Sequence, residues 1–253
     1  MDKINLTTSN YWDERWDRLT LPAVIEVNHI PGNCFDRVFK TYLPRDANLK
    51  LIELGCAPGK WLHYFNTMFG YQVYGVEYSP IGYNKTLENL AALRVKGQIA
   101  NADVMAPPSF EPMDIVFSYG LVEHFGDTKN ILEKHLLYAA KDGLVITILP
   151  NFGGFYGILQ KMADEKVFAG HKIIGLEEIK RTMSELGIKE IYAGYNGIFN
   201  LGLVNWGRTP RVFTSLINII NSVTHKLLKL FGIRTETALF SPYFTFIGRK
   251  QES

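Results

Sequence analysis

Leu51-Ile52-Glu53-Leu54-Gly55-Cys56-Ala57-Pro58-Gly59-Lys60-Trp61 is the stretch of this chain that decides its fold. An apolar strand ends in an acid, and a turn bounded by Gly55 and Gly59 leads into a helical pattern. Glycine at both ends lets the backbone turn sharply. It also lets a ligand lie against bare main chain, which a β-carbon would block. Strand–turn–helix units of this kind sit at the carboxyl edge of open α/β sheets, where those folds bind ligands. Glu53 beside the turn suits a ligand with an amino group better than one with a pyrophosphate. The turn also lacks the G-x-G-x-x-G spacing that a dinucleotide requires.

Outward from this unit, strand and helix signals alternate. Strand-like runs cover 50–54, 72–77, 97–100, 114–119 and 143–149, and helical patterns cover 59–69, 80–94, 128–140 and 175–186. Short apolar strands between amphipathic helices predict a parallel sheet covered on both faces. Gly187 ends a helix, 188–195 reads as a sixth strand, and 243–248 as a last one. The expectation is a doubly wound, mostly parallel seven-stranded α/β sheet. Residues 1–48 form a helical arm, with a helix near 33–42, and 49–253 form the main domain. Roughly 45 residues separate the last two strands, far above ordinary loop length, so about 196–240 reads as a cap insertion.

The chain has 253 residues, 47% of them hydrophobic, which suffices for a core without covalent staples. Cys34 and Cys56 are the only cysteines, and they make no disulfide framework. The first residues lack the apolar core of a signal peptide, and no long apolar run suits a spanning helix, so the expected location is cytoplasmic. The net charge of +2 argues against nucleic acid, but its distribution is uneven. Between 191 and 235 lie Arg208, Arg211, Lys226, Lys229 and Arg234 and no Asp or Glu; the remainder carries −3.

Glu53-Leu54-Gly55-Cys56-Ala57-Pro58-Gly59, with Glu77 closing the second strand, Asn101-Ala102-Asp103-Val104 after the third and Ser118-Tyr119-Gly120-Leu121-Val122-Glu123-His124 after the fourth, resembles the class I S-adenosyl-L-methionine (SAM) dependent methyltransferases of small-molecule type. The resemblance implies SAM as cofactor and S-adenosyl-L-homocysteine as product. Glu77 would take both ribose hydroxyls and Asp103 the adenine amino group. Gly55, Cys56, Ala57, Gly59, Trp61, Tyr78, Asn101, Ala102, Val104, Tyr119 and Gly120 would line the cofactor site. Tyr11-Trp12 and Trp16 resemble an aromatic arm that folds over the cofactor, where a ring face attracts a sulfonium. Packing of the same aromatics on the sheet edge is the alternative. Relatives that bind a divalent metal carry an acid where this chain has Gly120, so no metal is expected. The lysines of ribose methyltransferases acting on RNA are missing too.

The candidate catalytic residues are His124 first and His171 second, as bases that take a proton from an acceptor hydroxyl; a histidine that caps the following helix or satisfies a buried group is the alternative for His124. Glu123 is expected to orient a neighbour. The expected acceptor is a small molecule (a sugar, a lipid-linked intermediate or a natural product) methylated at oxygen. N- or C-methylation and a SAM-binding protein without catalysis remain alternatives. The glycine- and aromatic-rich stretch 150–170 reads as a mobile loop walling the acceptor pocket. The amphipathic helix 211–231 reads as a cap whose apolar face closes that pocket or joins a dimer, with a membrane-surface role as the less favoured alternative.

Overall fold

The computed structural model describes residues 5–28, 31–207, 211–232 and 236–251. Arg208 and Arg234 of the basic segment lie outside these residues. The side chains of Arg211 and Lys229 are not described either. Seven strands form one sheet: β1 (Lys50–Leu54), β2 (Gln72–Glu77), β3 (Gly97–Asn101), β4 (Met113–Tyr119), β5 (Ala139–Pro150), β6 (Ile188–Asn196) and β7 (Tyr243–Lys250). Their order is β3-β2-β1-β4-β5-β7-β6. β7 pairs antiparallel with β5 and β6, and the pairs among β1 to β5 are parallel. The doubly wound, mostly parallel sheet expected from the alternation is the observed one.

Several helices start where the sequence supplies a side-chain cap. α1 (Ser9–Asp17) begins at Thr8, whose side chain accepts from the Tyr11 N–H. α4 (Pro80–Ala92) begins at Ser79, which accepts from Gly82 N–H, with Pro80 in the first turn. α5 (Thr128–Tyr138) is capped by Asp127. α3 (Lys60–Phe69) has neither side-chain cap nor ordinary entry angle: Gly59 at φ +82° supplies the turn. α2 (Gly32–Tyr42) buries Phe35, Val38 and Phe39 at helical spacing, and α8 (Leu176–Glu185) buries Leu176, Ile179 and Met183. An aromatic layer of Phe35, Phe39, Trp61, Phe65 and Phe117 fills one side of the sheet. Aliphatic residues of β1, β4, β5 and α5 dominate the other.

Two expectations needed correction. The stretch 150–170 is largely helical, with α6 (Phe155–Ala163) and α7 (Glu165–Ala169). Two of the glycines that suggested a loop, Gly154 and Gly157, are instead close-approach positions: a β-carbon on Gly157 would fall 1.9 Å from the Phe152 carbonyl oxygen. The helix expected over 128–140 ends at Tyr138, because β5 runs back to Ala139 through a register shift against β4. The segment between β6 and β7 holds a short 3₁₀ turn (Leu201–Leu203) and α9 (Arg211–Leu230). No helix among the described residues is long and apolar enough to cross a membrane.

Candidate active site

The carboxyl ends of β1, β2 and β4 open into a cavity of about 830 Å³. Its floor is the glycine turn, its roof is α1, and its far wall comes from α6, the loop after α7 and the 3₁₀ turn. Gly55 sits at φ +73°, and a β-carbon there would press within 3.1 Å of Leu121, so the floor depends on glycine for both shape and room. Of the expected cofactor residues, Tyr11, Trp12, Glu53, Gly55, Ala57, Trp61, Glu77, Tyr78, Ala102, Asp103, Val104, Tyr119 and Gly120 line the cavity. Cys56, Gly59 and Asn101 do not line it. Cys56 is fully buried beneath the turn, where its sulfur packs over Gly75. Gly59 faces Thr86 and Leu90 of α4. The Asn101 amide donates to the Glu77 carbonyl at 2.8 Å and so fixes the loop rather than a ligand.

Glu77 is the most constrained acid. One carboxylate oxygen accepts from Ala57 N–H at 3.0 Å and the other from Ser79 N–H at 2.9 Å. Burial raises its carboxyl to about 7, against the pull of those N–H groups and with a further push from Asp13. Glu53 is buried, and one of its oxygens has no hydrogen-bond partner among the described residues. Burial holds its carboxyl well above the usual range, although Lys60 opposes this. A buried acceptor without a partner is costly, so this corner is shaped for a donor from outside. Asp103 accepts from Met105 N–H at 2.9 Å.

The roof is tied at both ends. Asp13 accepts from the Ser79 hydroxyl and from Ile81 N–H, which sets its charge at the amino end of α4. Trp16 rests on Gly82, where a β-carbon would lie 2.6 Å from its ring; packing and cavity lining are both true of this residue. Behind α1, the buried Asn89 amide accepts from Ala23 N–H at 2.8 Å. It donates to the Ala23 and Pro58 carbonyls, both at 2.9 Å. One side chain therefore joins the arm to the cofactor turn.

At the end of β4, Glu123 and His124 meet His171 from the loop after α7. The two imidazole rings lie 4.5 Å apart, and Trp12 meets His124 edge-on at 4.9 Å. His124 Nδ1 is 2.9 Å from the Gly170 carbonyl and His171 Nδ1 is 2.6 Å from that of Val167. Both Nδ1 atoms therefore carry the proton, leaving each Nε2 as an acceptor. Burial lowers His124 to about 3, with His171 adding to the effect, and lowers His171 as well. Burial raises Glu123 to about 8, and one of its oxygens has no partner among the described residues. The three side chains offer ligand atoms within 4.8 Å of one another, a set able to hold a metal ion. Arg15, however, imposes positive charge on both rings, which opposes a cation there.

A methyltransferase-domain family model matches residues 28–188, well over half of the chain. The chain belongs to this methyltransferase family. Among solved structures, phosphoethanolamine N-methyltransferase 2 of Haemonchus contortus, in complex with S-adenosylhomocysteine, is 18% identical with a TM-score of 0.61; 88% of this chain and 54% of that one are covered. This chain thus spans about half the length of that enzyme. Geranyl diphosphate C-methyltransferase from Streptomyces coelicolor, in complex with Mg²⁺, geranyl diphosphate and S-adenosylhomocysteine, is 11% identical with a TM-score of 0.62, covering 96% and 98%. A methyltransferase-like protein of Bacillus halodurans is 13% identical with a TM-score of 0.61, covering 87% and 100%. At these identities the likeness concerns the fold. No curated protein matches the chain by sequence.

In this methyltransferase-family chain the cavity also holds residues that the sequence reading passed over. Lys60, the first residue of α3, points to the Tyr119 ring at 5.4 Å, and Arg15 lies among the arm aromatics. Both had a signal: Lys60 follows the glycine turn directly, and Arg15 shares a helix face with Tyr11 and Trp12. Gln160 and Asn205, which form the far wall and bond to each other at 2.7 Å, had none, because the fold alone joins α6 to the segment after the 3₁₀ turn.

Proposed function

We propose that the chain transfers a methyl group from SAM to a small or medium-sized acceptor, at oxygen. The observation that carries this reading is Glu77, whose two oxygens are fixed by main-chain N–H groups in the same cavity as Glu53 and Asp103. Each oxygen keeps lone-pair capacity for one ribose hydroxyl. Glu53, with its unpartnered buried oxygen, suits the cofactor's amino group, and Lys60 and Arg15 suit its carboxylate. Asp103 takes the adenine amino group. Tyr11 and Trp12 present rings to the positive sulfur. Bound there, the cofactor supplies an activated methyl group.

The chain's own task is then to align the acceptor, exclude water and remove a proton. The acceptor hydroxyl donates its one hydrogen to the Glu123 carboxylate, with the neutral His124 and His171 rings beside it. The proton passes to the ionised form of Glu123, which predominates above about pH 8 and which burial makes the stronger base; His124, near 3, has too little affinity for it. Glu123 thus takes the role that the sequence reading assigned to His124, while His124 positions the acceptor.

Calorimetric titration with SAM against NAD, followed by labelled methyl transfer to a panel of hydroxyl, amine and activated-carbon acceptors, tests the reading. SAM binding with label recovered on oxygen is the expected result. Preference for NAD would refute the cofactor, and label on nitrogen or carbon would refute the acceptor atom. SAM binding with no transfer across the panel would point instead to a sensor.

A further inference from the structure

α9 is turned the opposite way round from the expectation that its apolar face would close the acceptor pocket. A helix with one apolar stripe ordinarily lays that stripe on the core. Here the face toward the body is mixed: Ile217 is 5% exposed, Asn221 accepts from Leu201 N–H at 2.9 Å, and the His225 ring bonds the Phe199 carbonyl at 2.5 Å. The stripe of Leu216, Ile219, Ile220, Val223, Leu227 and Leu230 is exposed, Ile219 to 58% and Leu230 to 76%. At about 100° per residue these six span about a third of the helix circumference. Phe231, just beyond the helix and 71% exposed, continues the stripe. Apolar surface gathered in this way on one side of a protein marks an interaction site.

Charge selects the occupant. The helix carries Arg211, Lys226 and Lys229 and no acid, and the sequence places Arg208 and Arg234 just outside its ends. A second copy docked through this stripe would bring together two segments that each carry five basic residues and no Asp or Glu between 191 and 235. Anionic lipid headgroups complement them. α9 is not long and apolar enough to cross a bilayer, so it would lie in the surface rather than through it. We propose that α9 docks this chain onto an anionic lipid surface, its stripe at the acyl boundary and its basic residues among the headgroups. The inference does not depend on the methyl-transfer reading.

Co-sedimentation of the full chain with phosphatidylcholine vesicles, with and without about one-third phosphatidylglycerol, tests it. Binding to the anionic vesicles should exceed that to the neutral ones by about tenfold and fall as salt rises. Leu216→Ser, Val223→Ser and Leu227→Ser combined should abolish it while leaving the circular dichroism spectrum unchanged. Because that variant could misfold, Lys226→Glu with Lys229→Glu, which leaves the apolar residues in place, should remove the preference for anionic lipid. Absence of sedimentation with anionic vesicles would overturn the proposal, as would undiminished binding by both variants. A dimer in sedimentation velocity that the serine variant dissociates would overturn it in favour of a second copy. SAM affinity measured on the same preparations reports separately on the cofactor site.

Discussion

Lowering the pH from 8 to 6 should weaken SAM binding about tenfold through Glu77. Its carboxyl lies near 7 because burial outweighs the Ala57 and Ser79 N–H groups. The sign follows from a raised acid: above 7 the group is ionised and accepts both ribose hydroxyls, and below 7 it is protonated and loses acceptor capacity. If only the ionised form binds, the apparent Kd scales as one plus ten to the power (7 − pH). That factor is about 1.1 at pH 8, 2 at pH 7 and 11 at pH 6, so the change is about tenfold or 1.4 kcal/mol. Glu53, whose carboxyl is also raised, pushes in the same direction, so the contribution of Glu77 is the difference between the wild type and Glu77→Gln. The variant places an amide N–H₂ against one of two N–H donors. It should lose about 1–3 kcal/mol of affinity at pH 8 together with most of the pH dependence. Isothermal calorimetry at pH 6, 7 and 8 and constant ionic strength, in two buffers of different ionisation enthalpy, reads affinity and proton release together. A wild-type Kd that stays level from pH 6 to 8, or a Glu77→Gln variant of equal slope, would refute the assignment.

Glu123→Gln should lower kcat by about 10²–10⁴ while leaving SAM affinity unchanged, as read by single-turnover transfer; a change under threefold would remove Glu123 as proton acceptor. Gly82→Ala should raise the SAM Kd about tenfold by lifting Trp16 and the roof, and should lower the melting temperature slightly, since the overlap with Trp16 and Ala57 outweighs alanine's helix preference. An unchanged Kd would show that the roof does not depend on that contact. His135 lies fully buried between the Ile131 carbonyl and the Ser118 hydroxyl, and burial lowers it from 6.5 to about 4. Its unfolded form binds a proton first, so its contribution is intact above 6.5 and is lost as pH falls toward 4. Urea unfolding at pH 8 and pH 5 should show about 2 kcal/mol more loss in the wild type than in His135→Gln, and equal losses would contradict the linkage.

The sheet was readable because β1, β2, β4 and the core of β5 are short apolar runs between helices with strong periodicity. The floor and the acids were readable because residues at strand ends keep a fixed relation to the sheet. Cys56, Gly59 and Asn101 show the limit of that logic. They stand in the right segments, yet the Cys56 and Asn101 side chains point to packing or to main-chain groups and the Gly59 α-carbon faces α4, and direction around a tight turn is set by φ and ψ rather than by position in a motif. The helices of 155–169 were hidden because Gly154 and Gly157 read as loop signals, whereas each sits where another backbone passes within contact of its α-carbon. His171 could be nominated but not placed, since only the docking of its loop brings it to His124. The orientation of α9 was likewise invisible, because periodicity reports that a helix has an apolar side and not which side the body occupies.

The attachment of the arm to the site has a kinetic consequence. Asn89 holds the arm and the floor together at one end, and the backbone pairing of Asn5 and Leu6 with Phe125 and His124 holds the arm at the other, which leaves α1 between them as the part that can lift. α1 is secured in its middle by Asp13 on the Ser79 hydroxyl and the Ile81 N–H, and the Ser79 N–H is already held by Glu77. A molecule that engages Glu77 therefore acts on the residue to which the roof is fastened, and by reciprocity a fastened roof strengthens its hold on that molecule. Departure of the spent ligand would then wait on Asp13 letting go of both the Ser79 hydroxyl and the Ile81 N–H.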